Sequence, residues 1–151
     1  LRYLYGEARI KKNQAIGVQL LNAAANKNHV VALTALGIHY SRSSNAQDVR
    51  QADYNQSEIF FSKAAKAGFP SAQKFLGLLY LNKNYTAHDM ELGFMWLRVS
   101  KLNGGEEEKR ALEEMNNVIR NKMTFLSYMS FQIKIERLAR RCIESGYEDC
   151  G

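Results

Sequence analysis

Proline is almost missing from this chain: Pro70 is the only one in 151 residues, and the ten glycines form no tract. Without a Pro- or Gly-rich stretch there is no interdomain linker, and the sequence predicts one domain over 1–151. No apolar run approaches the roughly twenty residues of a membrane-spanning helix. No signal peptide is visible, but the chain starts at Leu1 and not at methionine, which leaves room for a removed leader. Glycine-rich phosphate loops are also lacking; Gly104-Gly105 makes a single turn. Histidine is scarce. His29, His39 and His88 form no helix-spaced metal pair, and the nearest pattern is His88 with Glu91, three residues on. Ser71-Ala72-Gln73-Lys74 matches the Ser-x-x-Lys of acyl-serine enzymes, but its companion motifs are missing. The sequence therefore predicts no enzyme, no cofactor and no metal site.

What the chain does have is a repeated helix pair. In SEIFFSKAAKAGFPSAQKFLGLLY, residues 57–80, apolar side chains recur at helical spacing on both sides of Gly68-Phe69-Pro70. Gly68 suits the left-handed residue that ends a helix, and Pro70 suits the first turn of the next. Forty residues earlier, Leu20, Ala24-Ala25, Asn28, Ala32, Leu36-Gly37 and Tyr40 fall on Phe60, Ala64-Ala65, Gly68, Ala72, Leu76-Gly77 and Tyr80. Asn28 keeps the geometry, because asparagine tolerates the left-handed region next best after glycine. Thirty-six residues later Trp96, Ser100 and Gly104 match Phe60, Ala64 and Gly68. Trp96 and Phe60 are thereby predicted as core. Asn13, Asp53 and Asp89 fall at equivalent places and read as helix N-caps. Gly17, Ser57 and Gly93, four residues further, are small enough for a close helix crossing.

With AAxxN…A…LGxxY at 24–40, KAAxxG…A…LGxxY at 63–80 and DxxxGxxWLxxSxxxG at 89–104, the chain resembles the Sel-one-like repeats, relatives of the tetratricopeptide repeats. The resemblance implies an all-α fold: a right-handed α-solenoid of two to three stacked helix pairs over 1–104. Residues 105–151 would supply C-terminal capping helices. One is expected over Glu106–Lys122, its acids at the start and bases at the end complementing the helix dipole. The last should run from about Leu126 to Glu144, with Phe131, Ile135, Leu138 and Cys142 on one face.

The only cysteines, Cys142 and Cys150, lie in CIESGYEDC. A continuous helix would hold them ~12 Å apart, beyond bridging distance. Ser145-Gly146 can stop the helix and fold the tail back, so a disulfide and an oxidising compartment are expected; the alternative is two unrelated thiols in a reducing cytosol.

The net charge is +6, concentrated at the N-terminus: residues 1–50 hold seven Lys or Arg against Glu7 and Asp48. The bases are scattered, too thinly for nucleic acid, and read either as a solvated surface or as steering for an acidic partner. Function in a helical solenoid lies in side chains projecting from its groove and loops. The partner-binding candidates are Arg42, Asp48, Arg50 and Tyr54 in the long loop, Tyr85 and His88 in the next, and Gln73 and Lys74 on a helix face.

By resemblance, the expected role is that of a bacterial periplasmic or secreted binding protein. Its sharpest form is an immunity protein that neutralises a phospholipase-like toxin delivered by type VI secretion, met through an acidic surface. The alternative is a cytoplasmic adaptor or scaffold for a signalling, cell-envelope or virulence complex.

Overall fold

The computed structural model describes residues 8–43, 51–82 and 86–151, and side chains at 15–42, 54–82 and 86–151. The described residues form seven helices and no strand: α1 Ala8–Ala25, α2 Val30–Ser43, α3 Gln51–Lys66, α4 Pro70–Asn82, α5 Ala87–Asn103, α6 Glu106–Arg120 and α7 Phe125–Glu144. Consecutive helices pack in pairs as in an α-solenoid, the fold class expected. The chain falls into two compact units, 1–63 and 64–151.

The helix ends are set by local chemistry. Asn28 has φ 58° and Gly68 has φ 81°. At each, the left-handed residue donates to the carbonyl three back and its successor to the carbonyl five back: Asn28 to Ala25 and His29 to Ala24, Gly68 to Ala65 and Phe69 to Ala64. This double bond pattern satisfies the last carbonyls of α1 and α3. Pro70 then opens α4. Gly146, with φ 66°, repeats the device where α7 stops, its N–H on Ile143 and that of Tyr147 on Cys142. Gly104 departs from expectation. Its backbone is extended, φ −111° and ψ −163°. Glycine is needed there for close approach, since a Cβ would lie 2.8 Å from the Ser100 carbonyl oxygen and 2.7 Å from Glu108 Cγ.

The expected N-caps are also displaced. Thr86 caps α5: its hydroxyl accepts from the Asp89 N–H at 3.0 Å and donates to the Asp89 carboxylate at 2.7 Å. Asp89 is the partner three residues in, and Asn13 and Asp53 likewise sit inside α1 and α3. An offset between repeats fixes which positions are equivalent but not where the helix begins.

In unit 1 the core holds Ala32, Leu33, Leu36 and Phe61. The Ser57 hydroxyl donates to the Gly37 carbonyl at 2.8 Å, and the Phe61 ring fills the space where a Gly37 side chain would stand. Phe60, expected in the core, is only half-buried and stacks on Tyr40 at 5.6 Å. Its counterpart Leu20 is 67% exposed. The ring one residue on, Phe61, takes the core position.

In unit 2, α5 contacts α4, α6 and α7. Phe94, Leu97, Leu112, Phe131 and Ile135 make the core, with Phe94 and Phe131 edge to face at 5.3 Å. Trp96 is buried as expected. Gly77 and Gly93 let α4 and α5 touch through their backbones: a Cβ on Gly77 would lie 2.8 Å from the Gly93 carbonyl oxygen. Gly17, in unit 1, meets nothing within 4 Å among the described residues, so no close crossing occurs there.

Candidate functional site

Three of the sequence-predicted binding residues, Asp48, Arg50 and Tyr85, lie outside the described residues, as do the basic side chains at positions 2–12. In unit 1, Arg42 is exposed at the end of α2 and Tyr54 is half-buried on α3.

Gln73 and Lys74, expected on a solvent face, are buried in unit 2, 0% and 4% exposed. Gln73 folds back on the end of α3, its Nε2 donating to the Ala65 carbonyl at 3.0 Å. Its Oε1 accepts from Asn103 Nδ2 at 3.1 Å, and Asn103 Nδ2 also donates to the Tyr147 hydroxyl at 2.8 Å. A buried amide is tolerated when its polar atoms are satisfied in this way. Lys74 is covered by the first turn of α6. It pairs with Glu107, lies 4.0 Å from Glu108 and sits 4.9 Å from the centre of the Phe75 ring. The missed signal was Glu106-Glu107-Glu108, since acids crowded at one helix start call for a cation.

Glu108 draws the surrounding groups together. Burial pushes its carboxyl toward neutrality, while hydrogen bonds from the Gly105 N–H and its own N–H oppose this. The nearby Lys74 ammonium and the Ser71 hydroxyl add to them, holding the pKa below the usual carboxylate value. Ser71 and Lys74, which mimic a catalytic pair in sequence, are both engaged by α6 carboxylates.

His88 is exposed at the start of α5 and lines a cavity of about 100 Å³ with Glu91, Arg141, Asp149 and Cys150. Pockets for drug-sized ligands run to roughly 300–1,000 Å³, so this space is too small for one. Arg141 pairs with Asp149 at 3.0 Å, and a disulfide joins Cys142 to Cys150 with Cα atoms 4.5 Å apart. Among the described residues no three His, Cys, Asp or Glu converge to hold a metal ion, and no helix is long and apolar enough to cross a membrane.

One surface escaped the sequence reading. Helix α7 buries Phe131, Ile135, Ala139 and Cys142, yet Phe125, Leu126, Met129 and Ile133 on the same helix are 72, 78, 43 and 58% exposed. At about 100° per residue, Leu126, Met129 and Ile133 fall on one stripe roughly opposite the buried face.

Comparison with protein families finds three Sel1 repeats, at residues 1–29, 30–69 and 70–104. The chain belongs to the Sel1 repeat family. Its members are protein-interaction modules and as a rule carry no catalysis. No curated protein and no solved structure matches the chain.

The first two Sel1 boundaries follow the left-handed residues Asn28 and Gly68 by one position, so the repeat is a unit of backbone geometry as well as of sequence. Arg42, Asp48, Arg50 and Tyr54 belong to the second repeat, and Tyr85 and His88 to the third. Helices α6 and α7, with the disulfide and the exposed apolar stripe, lie beyond the last Sel1 repeat.

Proposed function

We propose that this Sel1 repeat protein is a non-enzymatic interaction module that binds a protein partner in an oxidising compartment outside the cytoplasm. The three Sel1 repeats carry the reading, and the Cys142–Cys150 bridge supports the compartment. Arg42, Asp48, Arg50 and Tyr54 in the second repeat, with Tyr85 and His88 in the third, are the contact residues we assign to the partner. Gln73 and Lys74 leave that set because the fold uses them internally. A periplasmic immunity protein that neutralises a phospholipase-like type VI toxin is the sharpest form of the proposal, and its support is the family resemblance.

The test has two arms. Thiols are alkylated in intact cells of the native host before lysis, with and without prior reduction; the proposal expects protection until reduction, and free thiols overturn the compartment. Tagged protein is then used as bait in host extract beside the variants Arg42→Ala/Tyr54→Ala and Tyr85→Ala/His88→Ala. A protein retained by the parent and lost from either pair supports the reading. Identical retention by all three overturns the assigned residues.

A further inference from the structure

The stretch from Met115 to Ile135 contains no Asp or Glu, while it holds Arg120, Lys122 and Lys134. Within it lies the exposed stripe of α7. Leu126, Met129 and Ile133 continue at helical spacing into Arg137, and Lys122 stands in the turn one step before Leu126. Arg137 thus closes the C-terminal end of the apolar strip, and Lys122 belongs to the turn that leads into its N-terminal end. Lys134 pairs with Glu91, but Arg120, Lys122 and Arg137 are exposed and make no ion pair among the described residues. Glu136, the nearest acid along α7, is engaged by Arg98 and Arg140.

We propose that this face of α7 docks an acidic amphipathic helix of a protein partner. The inference rests on the interaction-module reading and adds to it a second contact surface outside the Sel1 repeats. An amphipathic helix presents apolar anchors at i, i+3, i+4 and i+7, which suits a stripe of the same period. From Leu126 to Arg137 along α7 is about 16 Å, so roughly three turns of partner helix cover it. Carboxylates at both ends of such a helix would meet Lys122 and Arg137.

A second copy of the chain fits worse. An antiparallel pairing that sets Leu126 against Ile133 of the other copy brings Arg137 toward the turn that holds the cation Lys122, and a parallel one sets like against like throughout.

The experiment measures binding of labelled fourteen-residue amphipathic helical peptides to the full chain. One peptide carries leucines at i, i+3, i+4 and i+7 with glutamates elsewhere, and its twin carries lysines instead. The variants are Leu126→Gln/Ile133→Gln, which removes apolar surface, and Lys122→Glu/Arg137→Glu, which reverses the end charges. All four positions are exposed, and an unchanged unfolding midpoint verifies folding.

The glutamate peptide should bind the parent, weaken about tenfold with the apolar pair and weaken further as salt rises. The lysine peptide should bind the charge-reversed variant in preference to the parent. The inference is overturned by equal binding of the two peptides to the parent, by affinity untouched in both variants, or by no binding at millimolar peptide. It is also overturned if only phosphatidylglycerol vesicles bind, or if the parent dimerises through the stripe. Failure of the peptides with the partner still held by the repeat loops removes this surface and leaves the proposed function in place.

Discussion

Replacing Cys150 with serine should lower the stability of this protein by about 2.5 kcal/mol. The bridge closes a loop of sequence separation 8, and the chain-entropy relation for so short a loop gives about 2.5 kcal/mol at 25 °C. Two smaller effects oppose each other. Tyr147 sits at φ 71°, a left-handed conformation that costs a non-glycine residue roughly 1–2 kcal/mol. Its hydroxyl accepts from Asn103, which returns about 1 kcal/mol. Both vanish when the tail frays, so the loop dominates. In urea, with a slope of roughly 1–3 kcal/mol per molar, the midpoint should fall by about 0.8–2.5 M. Reductant should bring the parent to the level of Cys150→Ser and leave the variant unmoved. A variant within about 0.5 kcal/mol of the oxidised parent would refute the reasoning, because the tail would then be held by its side chains alone.

Adding a methyl group to two glycines should have opposite results. Gly77→Ala drives a Cβ to 2.8 Å from the Gly93 carbonyl oxygen and should cost about 1–3 kcal/mol as overpacking, whereas Gly17→Ala meets open space and should gain about 0.5–1 kcal/mol from helix propensity; paired thermal melts compare them. Glu108→Gln bears on acid stability. Because the Glu108 pKa is lowered in the folded state, its contribution is complete above the ordinary carboxylate value and is lost as pH falls through the folded pKa. The variant should therefore be less stable near neutrality and show a flatter acid limb; an unchanged pH profile would count against that ion-pair cluster. Gln73→Leu leaves the Ala65 carbonyl without the Gln73 amide and frees Asn103, and a loss of about 1–3 kcal/mol in denaturant unfolding is expected.

The repeat geometry was legible because it depends on single residues. A left-handed helix end admits glycine or asparagine almost alone, so Gly68 and Asn28 announced two turns that the structure has. The folding back after Ser145-Gly146 was read from the same kind of signal, and the bridge followed. What failed needed partners distant in sequence. Lys74 looks solvated until Glu107, thirty-three residues away, lies over it, and Gln73 looks free until Asn103 completes its hydrogen bonds. The Gly104 misreading shows the same gap, because a small residue can serve a bend or a close contact and only the neighbouring Glu108 distinguishes them. The outer stripe of α7 was within reach. Its first half carries apolar side chains on two faces, and the reading stopped at the face that completes the core.

Whether that second face belongs to the fold or to a partner is decided by a contrast within one helix. Phe131 is 8% exposed and packs edge to face on Phe94, so Phe131→Ala removes core volume and should cost about 3–5 kcal/mol. Phe125 and Leu126, six and five residues earlier, are 72 and 78% exposed. Little area returns to water when they are shortened, and Phe125→Ser with Leu126→Ser should stay within about 0.5 kcal/mol of the parent, as surface substitutions do. If the double variant unfolds as readily as Phe131→Ala, the stripe is structural and the docking inference loses its premise. If it keeps full stability, these two apolar side chains at the start of α7 contribute little to folding and stay available to the docked helix.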